Sequence, residues 1–175
     1  MRKGTRYRQT RSYIRGECHP GDVAPKPLRN QIGAKMNDRY EDDLAKVETN
    51  KDKALSEKGK VAAAHDVAVD KLRLIREPTT SKKVALEAAS VAAVEGEKAK
   101  IANQAAFDAA VEATKTQAVF ALTAATELPS PQERATIAKL ETAIDLAKQA
   151  AQDARQLSAE TEEVALLATS LAHAK

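Results

Sequence analysis

Between residues 131 and 174 apolar positions return every three or four residues, at Ile137, Leu140, Ile144, Ala147, Ala151, Ala154, Leu157, Val164, Ala168 and Leu171, with Thr161 in the same row. That spacing gathers them on one face of an α-helix. The preceding LPSPQER stretch (128–134) supplies the start. Ser130 is placed to cap the helix, Pro131 to take the first helical position, and Glu133 to complete a capping box. The pattern predicts a helix over about 131–174.

A second periodic stretch runs from Asn37 to Arg76. Tyr40, Val47, Ala54, Val61, Ala68 and Ile75 hold one heptad position, while the companion row reads Leu44, Lys51, Lys58, His65, Leu72. The predicted seam is therefore apolar on one side and polar in its middle. Asn37 is the expected cap, with Asp38, Glu41, Asp42 and Asp43 complementing the helix dipole. Glu77-Pro78 ends this helix, predicted over 38–76. Gly59 weakens it by about 1 kcal/mol relative to Ala.

After Pro78-Thr79-Thr80, with Thr80 or Ser81 as cap, a third stretch extends to about Glu127. It is the most alanine-dense part of the chain, with Val84, Val91, Val94, Ile101, Phe107, Val111, Val119, Phe120 and Leu122 as its larger anchors. Their spacing drifts around the helix, which predicts a face in contact with two neighbours. The three helices, about 39, 47 and 44 residues long, would each span about 58–70 Å at 1.5 Å per residue. Connections this short force antiparallel neighbours.

Residues 1–36 read differently. Gly4, Gly16, Gly21 and Gly33, with Pro20, Pro25 and Pro27, interrupt any long helix. His19-Pro20-Gly21-Asp22 is a turn candidate, and Pro25-Lys26-Pro27 favours extension. The expected architecture is all-α: an elongated bundle or hairpin of three long alanine-rich helices (38–76, 80–127, 131–174) over residues 37–175, preceded by an extended basic arm at 1–36.

Composition thins the expected core. Apolar residues make up 43% of the 175, but 36 of them are alanine, and there is no Trp. Burying a Leu or Phe side chain contributes about 1.5–3 kcal/mol, and an alanine methyl far less. Alanine seams that let backbones approach closely fit better than a thick globular core. A lone chain of this kind is expected to be marginal and to gain from burial against further subunits, the competing outcome being a disordered or partly helical state when free.

Charge is divided along the chain. Residues 1–36 carry nine Lys and Arg against Glu17 and Asp22, whereas the remainder carries 19 against 23 acids. The arm interleaves Arg2, Lys3, Arg6, Arg8, Arg11 and Arg15 with Tyr7 and Tyr13. Guanidinium forks bind phosphates, and tyrosine stacks on bases or sits against a protein surface. These eight residues are the candidate contacts, either to an acidic groove on a protein neighbour or to a nucleic-acid backbone in a salt-sensitive, sequence-blind way. A merely solvated tail is the plainer reading.

Candidate chemistry elsewhere is sparse. His19, His65 and His173 are widely separated, and no Ser/His/Asp or Cys/His arrangement has local support. Cys18 is the single cysteine, so Cys18-His19 lacks the further ligands a zinc site needs and no internal disulfide can form. Asp42/Asp43 and Glu162/Glu163 are adjacent pairs, which on a helix diverge by about 100°. No metal, cofactor, small-molecule substrate or enzymatic activity is expected. No apolar run is long enough to span a membrane, and adsorption of the helices to lipid is a minor option because their faces lack Leu, Phe and Trp density. The start of the chain lacks the apolar stretch of a secretory signal, so an intracellular or virion setting is expected.

Three function classes remain. The first is a non-enzymatic structural or assembly protein of a large multi-subunit particle, before others a virion component (capsid, head–tail or internal), with the arm docking onto neighbouring subunits and homo-oligomeric copies as partners. The second is an accessory ribonucleoprotein subunit whose Arg/Tyr arm follows phosphates. The third, an enzyme, has no support in the residues. The first is preferred because a mixed Arg/Tyr/Pro/Gly arm suits threading between proteins better than a lysine-rich tail would. A thin-cored rod also gains most from packing in many copies.

Overall fold

Three helices account for nearly all of the backbone in a computed structural model, which describes residues 26–124 and 130–175, with side chains from 40–117 and 130–175. They are α1 (Lys26–Arg76, 51 residues), α2 (Lys82–Ala124, 43 residues) and α3 (Pro131–Ala174, 44 residues). The all-α reading stands. The candidate contacts Arg2, Lys3, Arg6, Tyr7, Arg8, Arg11, Tyr13 and Arg15 lie outside the described residues.

The start of α1 differs from the expectation. Residues 26–36, assigned to an extended arm, are helical, and Asn37 is an interior position rather than a cap. Pro27 falls in the first turn, where its missing N–H would have had no intrahelical partner. A proline there is compatible with a helix start, and the penalty of Gly33 is only about 1 kcal/mol. Asp38, Glu41, Asp42 and Asp43 consequently sit within the helix rather than at its first turn. Residues 39–175 form a compact unit, and the packing below is that of this unit.

Within 39–175 the three helices share alanine-lined seams. One cluster joins Ala68, Leu72 and Ile75 of α1 to Ala85, Ala88, Ala89 and Ala92 of α2 and to Ala165, Ala168 and Ala172 of α3. A second joins Val61 and Ala64 to Ala99, Ala102 and Ala106 and to Ala154. Residue numbers rise along α1 as they fall along α2, so these two are antiparallel; α3 reverses again and runs parallel to α1. Tyr40, Val47, Ala54, Val61, Ala68 and Ile75, the heptad row of the sequence, are all buried.

On α2 the anchors are not those expected. Val84, Val91, Val94, Ile101 and Phe107 are exposed, Ile101 by 71% and Phe107 by 56%. The buried face is instead Ala85, Ala88, Ala89, Ala92, Ala99, Ala102, Ala106, Ala109, Ala110 and Ala113, a regular three-and-four repeat of methyls. Small side chains permit close helix approach, and the larger residues are displaced to the flanks, where there is room. Gly96 belongs to the same face: a Cβ built there would lie 3.6 Å from the Cβ of Ala165. Val119, Phe120 and Leu122 have side chains outside the described residues.

The helix ends follow their sequence signals. Ser130 has φ −62° and ψ 162°, its hydroxyl accepts from the Glu133 amide, and the Glu133 carboxylate accepts from the Ser130 amide at 2.6 Å. Ser81, rather than Thr80, caps α2, accepting from the Val84 amide at 3.4 Å. Thr80 turns back instead, donating to the Leu74 carbonyl at 2.7 Å. Lys175 closes this end of the bundle by donating to the carbonyls of Glu77 (2.7 Å) and Thr80 (3.2 Å). The Thr80 contact satisfies a carbonyl in the last turn of α1, and those of Lys175 tie the turn that follows to the end of α3.

Candidate interaction surface

Alanine seams carry little directional information, so the polar residues that cross them define how the helices face one another. Lys58 of α1 reaches Asp153 of α3 at 2.6 Å, and one heptad on, His65 Nδ1 lies 3.3 Å from Oγ1 of Thr161. Between α2 and α3, Lys100 pairs with Glu162 at 3.0 Å and Lys148 donates to Gln117 at 3.4 Å. Lys58 and His65 of the α1 companion row are thus matched by polar partners on α3, while Lys51 pairs with Asp52 on its own helix at 3.2 Å. Glu162 of the adjacent pair Glu162/Glu163 joins the bundle through Lys100, while Asp43 of Asp42/Asp43 pairs with Lys46 at 3.3 Å.

Two of these groups titrate away from their ordinary values. Hydrogen bonds from Lys58, and then from Gln149, hold the Asp153 carboxyl below the usual carboxylate range. Hydrogen bonds to Glu162, and then to Glu97, raise the Lys100 ammonium. Lys100 is exposed and Asp153 half-exposed, so salt weakens both effects. Among the described residues no group of three or more His, Cys, Asp or Glu is arranged to hold a metal ion. No described helix is long and apolar enough to cross a membrane.

Outside the seams the bundle presents large apolar side chains to solvent. Val94, Ile101 and Phe107 on α2, and Leu146, Leu166 (65% exposed) and Leu167 on α3, are the most prominent. One of these, Phe107, lines an open groove of about 770 Å³ between α2 and α3. Val111, Ala110 and Ala151 share its apolar lining, and Lys115, Lys148 and Arg155 supply the positive charge. Lys115 is paired with Glu112, and Lys148 is engaged by Gln117 and Asp145. Arg155 has no ion pair or hydrogen-bond partner among the described residues.

Every candidate contact expected from the sequence lies in the arm, and none lies in this groove. A signal for it is present: the alanines at 99, 102, 106, 109, 110 and 113 already fill one helical face. Phe107, lying off that row, had to point elsewhere. Arg155 and Lys148, seven residues apart on α3, flank the same side by the same geometry. Comparison with protein-family models, with curated proteins and with solved structures gives no match.

Proposed function

We propose that this chain is a non-enzymatic structural subunit of a multi-copy assembly, with helices 39–175 as a packing element and the basic N-terminal stretch as a docking arm. The observation that carries the reading is the inversion of α2, whose core face is alanine while Val94, Ile101 and Phe107 stand exposed. Such a helix stabilises its own bundle weakly and has apolar surface left for neighbours. Chains that bury shared surface on association gain stability by mass action. A virion shell, tail or interior is one setting in which many identical helical subunits pack in this way, an analogy of architecture rather than of residues.

Sedimentation of the full-length chain at low and moderate salt, with and without generic RNA and DNA, tests the proposal. Discrete multimers without nucleic acid are expected. Deletion of residues 1–25 should leave most helicity in place while removing incorporation into the parent assembly. A monomer that co-sediments with nucleic acid only at low salt would replace this reading with that of an accessory ribonucleoprotein subunit, its Arg2–Arg15 segment bound along phosphates.

A further inference from the structure

We infer that the α2/α3 groove around Phe107 is a socket for the outer stripe of α1 on a second copy of this chain; the inference rests on the multi-copy reading above and names its contact. The groove is apolar along its floor, at Phe107, Val111 and Ala151, and carries Arg155 without a partner among the described residues. The chain's own α1 offers the complement. Leu55, Ala62, Asp66 and Val69 follow one another at seven-, four- and three-residue steps and share a face. Leu55 and Val69 are exposed, and Asp66 and Asp70, one turn apart, are exposed with no ion pair or hydrogen-bond partner among the described residues.

Size and charge both fit. From Asn103 to Lys115 the groove follows α2 for about 18 Å, and Ala62 to Asp70 spans about 12 Å of helix, within that length. With the two carboxylates at the Arg155 fork, Val69 would cover Phe107, and Ala62, about 10 Å along the stripe, would lie over Val111 and Thr114. A guanidinium and two carboxylates that have no protein partner among the described residues then pair with each other, a charge-assisted arrangement stronger than a neutral hydrogen bond. The basic segment at residues 2–15 is the wrong occupant, because its charge repels Arg155. A nucleic-acid strand is also a poor one. It needs several free cations, whereas Lys115 and Lys148 are already engaged within their own chain.

In the inferred arrangement the contact is heterologous. Each copy uses its stripe on one neighbour and its socket on another, which builds a ring or an open filament rather than a closed two-fold dimer.

Charge exchange tests this in the full chain. Wild type should give a concentration-dependent ladder of species in sedimentation velocity. Arg155→Glu alone, and Asp66→Arg with Asp70→Arg, should each weaken association by about 10-fold or more, and the triple variant should recover to within about threefold of wild type. All these positions are exposed, and far-ultraviolet circular dichroism verifies that helicity is kept. A wild-type ladder that neither variant disturbs, or a triple variant as weak as its parents, overturns the socket and leaves multi-copy assembly standing. A wild type that stays monomeric overturns both. Loss of RNA retention in Arg155→Glu, with the ladder unchanged, would assign the groove to phosphates and equally overturn the contact.

Discussion

His65 Nδ1 lies 3.3 Å from Oγ1 of Thr161, while that same hydroxyl sits 2.6 Å from the Leu157 carbonyl oxygen. Thr161 is fully buried, and a hydroxyl has one proton to give. The Leu157 carbonyl can only accept, so Thr161 donates to it and must accept from His65. The imidazole is thereby held with its proton on Nδ1. Thr161→Val keeps the shape but removes both hydrogen bonds and leaves Nδ1–H facing a methyl group. Its expected cost is about 1–3 kcal/mol in urea unfolding, the penalty of an orphaned polar group. Nitrogen-correlated NMR of His65 should show the Nδ1–H form in wild type. A dominant Nε2–H tautomer would contradict the arrangement.

Two glycines interrupt the helices without any need for their special backbone freedom. A Cβ at position 59 meets nothing within 4 Å, and one at position 96 makes an ordinary contact with Ala165. Gly59→Ala and Gly96→Ala should each raise stability by about 0.5–1 kcal/mol through helix propensity. The two should part when the side chain grows: Gly59→Leu remains tolerated, whereas Gly96→Leu forces α2 from α3. Equal melting temperatures for the two leucine variants would mean that the close approach at Gly96 is not maintained in solution.

The inversion of α2 makes an unusual contrast testable. Ala168 is fully buried in a three-helix cluster, so Ala168→Leu overpacks the seam and should cost about 1–3 kcal/mol. Ile101→Ala removes a far larger side chain, yet from an exposed position, and should change monomer stability by less than about 0.5 kcal/mol. Denaturant titration of the two variants at low protein concentration compares them directly. A larger loss for Ile101→Ala would place that side chain in a core.

How much of this was legible beforehand depended on side-chain size. The heptad row from Tyr40 to Ile75 mixes bulky residues with alanines at strict spacing, so periodicity alone located its buried face. The Ser130, Pro131 and Glu133 signals act within one turn, and they set the start of α3 where the sequence implied. On α2 side-chain size misleads, because there the larger residues are the exposed ones. Val94 and Ile101 would win a core position in a spacious bundle, but seams lined by Ala92, Ala99 and Ala106 leave no volume for them. The groove is hidden for the same reason, since by its size Phe107 belongs with the anchors. The helix over residues 26–36 is hidden by Pro27 and Gly33, which resemble interruptions but act as a tolerated start and a modest penalty.

The Lys58–Asp153 pair gives the bundle an acid-sensitive contact. Asp153 titrates below its unfolded value near 3.8, so its contribution is present above that pH and is lost as pH falls through the folded value. Lys100 has the opposite sense: its contribution is complete below about 10.5 and is lost as pH rises through its raised value. Thermal melts at pH 2–6 should therefore show wild type losing stability below about pH 4 more steeply than Asp153→Asn, with the difference reduced in high salt. Parallel acid limbs for the two proteins would mean that the Lys58–Asp153 contact contributes nothing.

Alanine-on-alanine packing has a further consequence, for alignment rather than strength. Ala147, Ala154 and Ala168 sit one and two heptads apart on α3, and only Thr161 breaks their row. Sliding α3 by seven residues would lay methyl on methyl again almost everywhere, so the apolar contacts barely distinguish the native stagger from its neighbours. The crossing polar residues do. One slip would set His65 against Ala168 and Lys100 against Thr169; the other would set Lys58 against Leu146 and Lys100 against Arg155. The few hydrogen-bonded crossings act as detents on an otherwise smooth rail. Removing them should multiply the staggers the helices can adopt before it unfolds them.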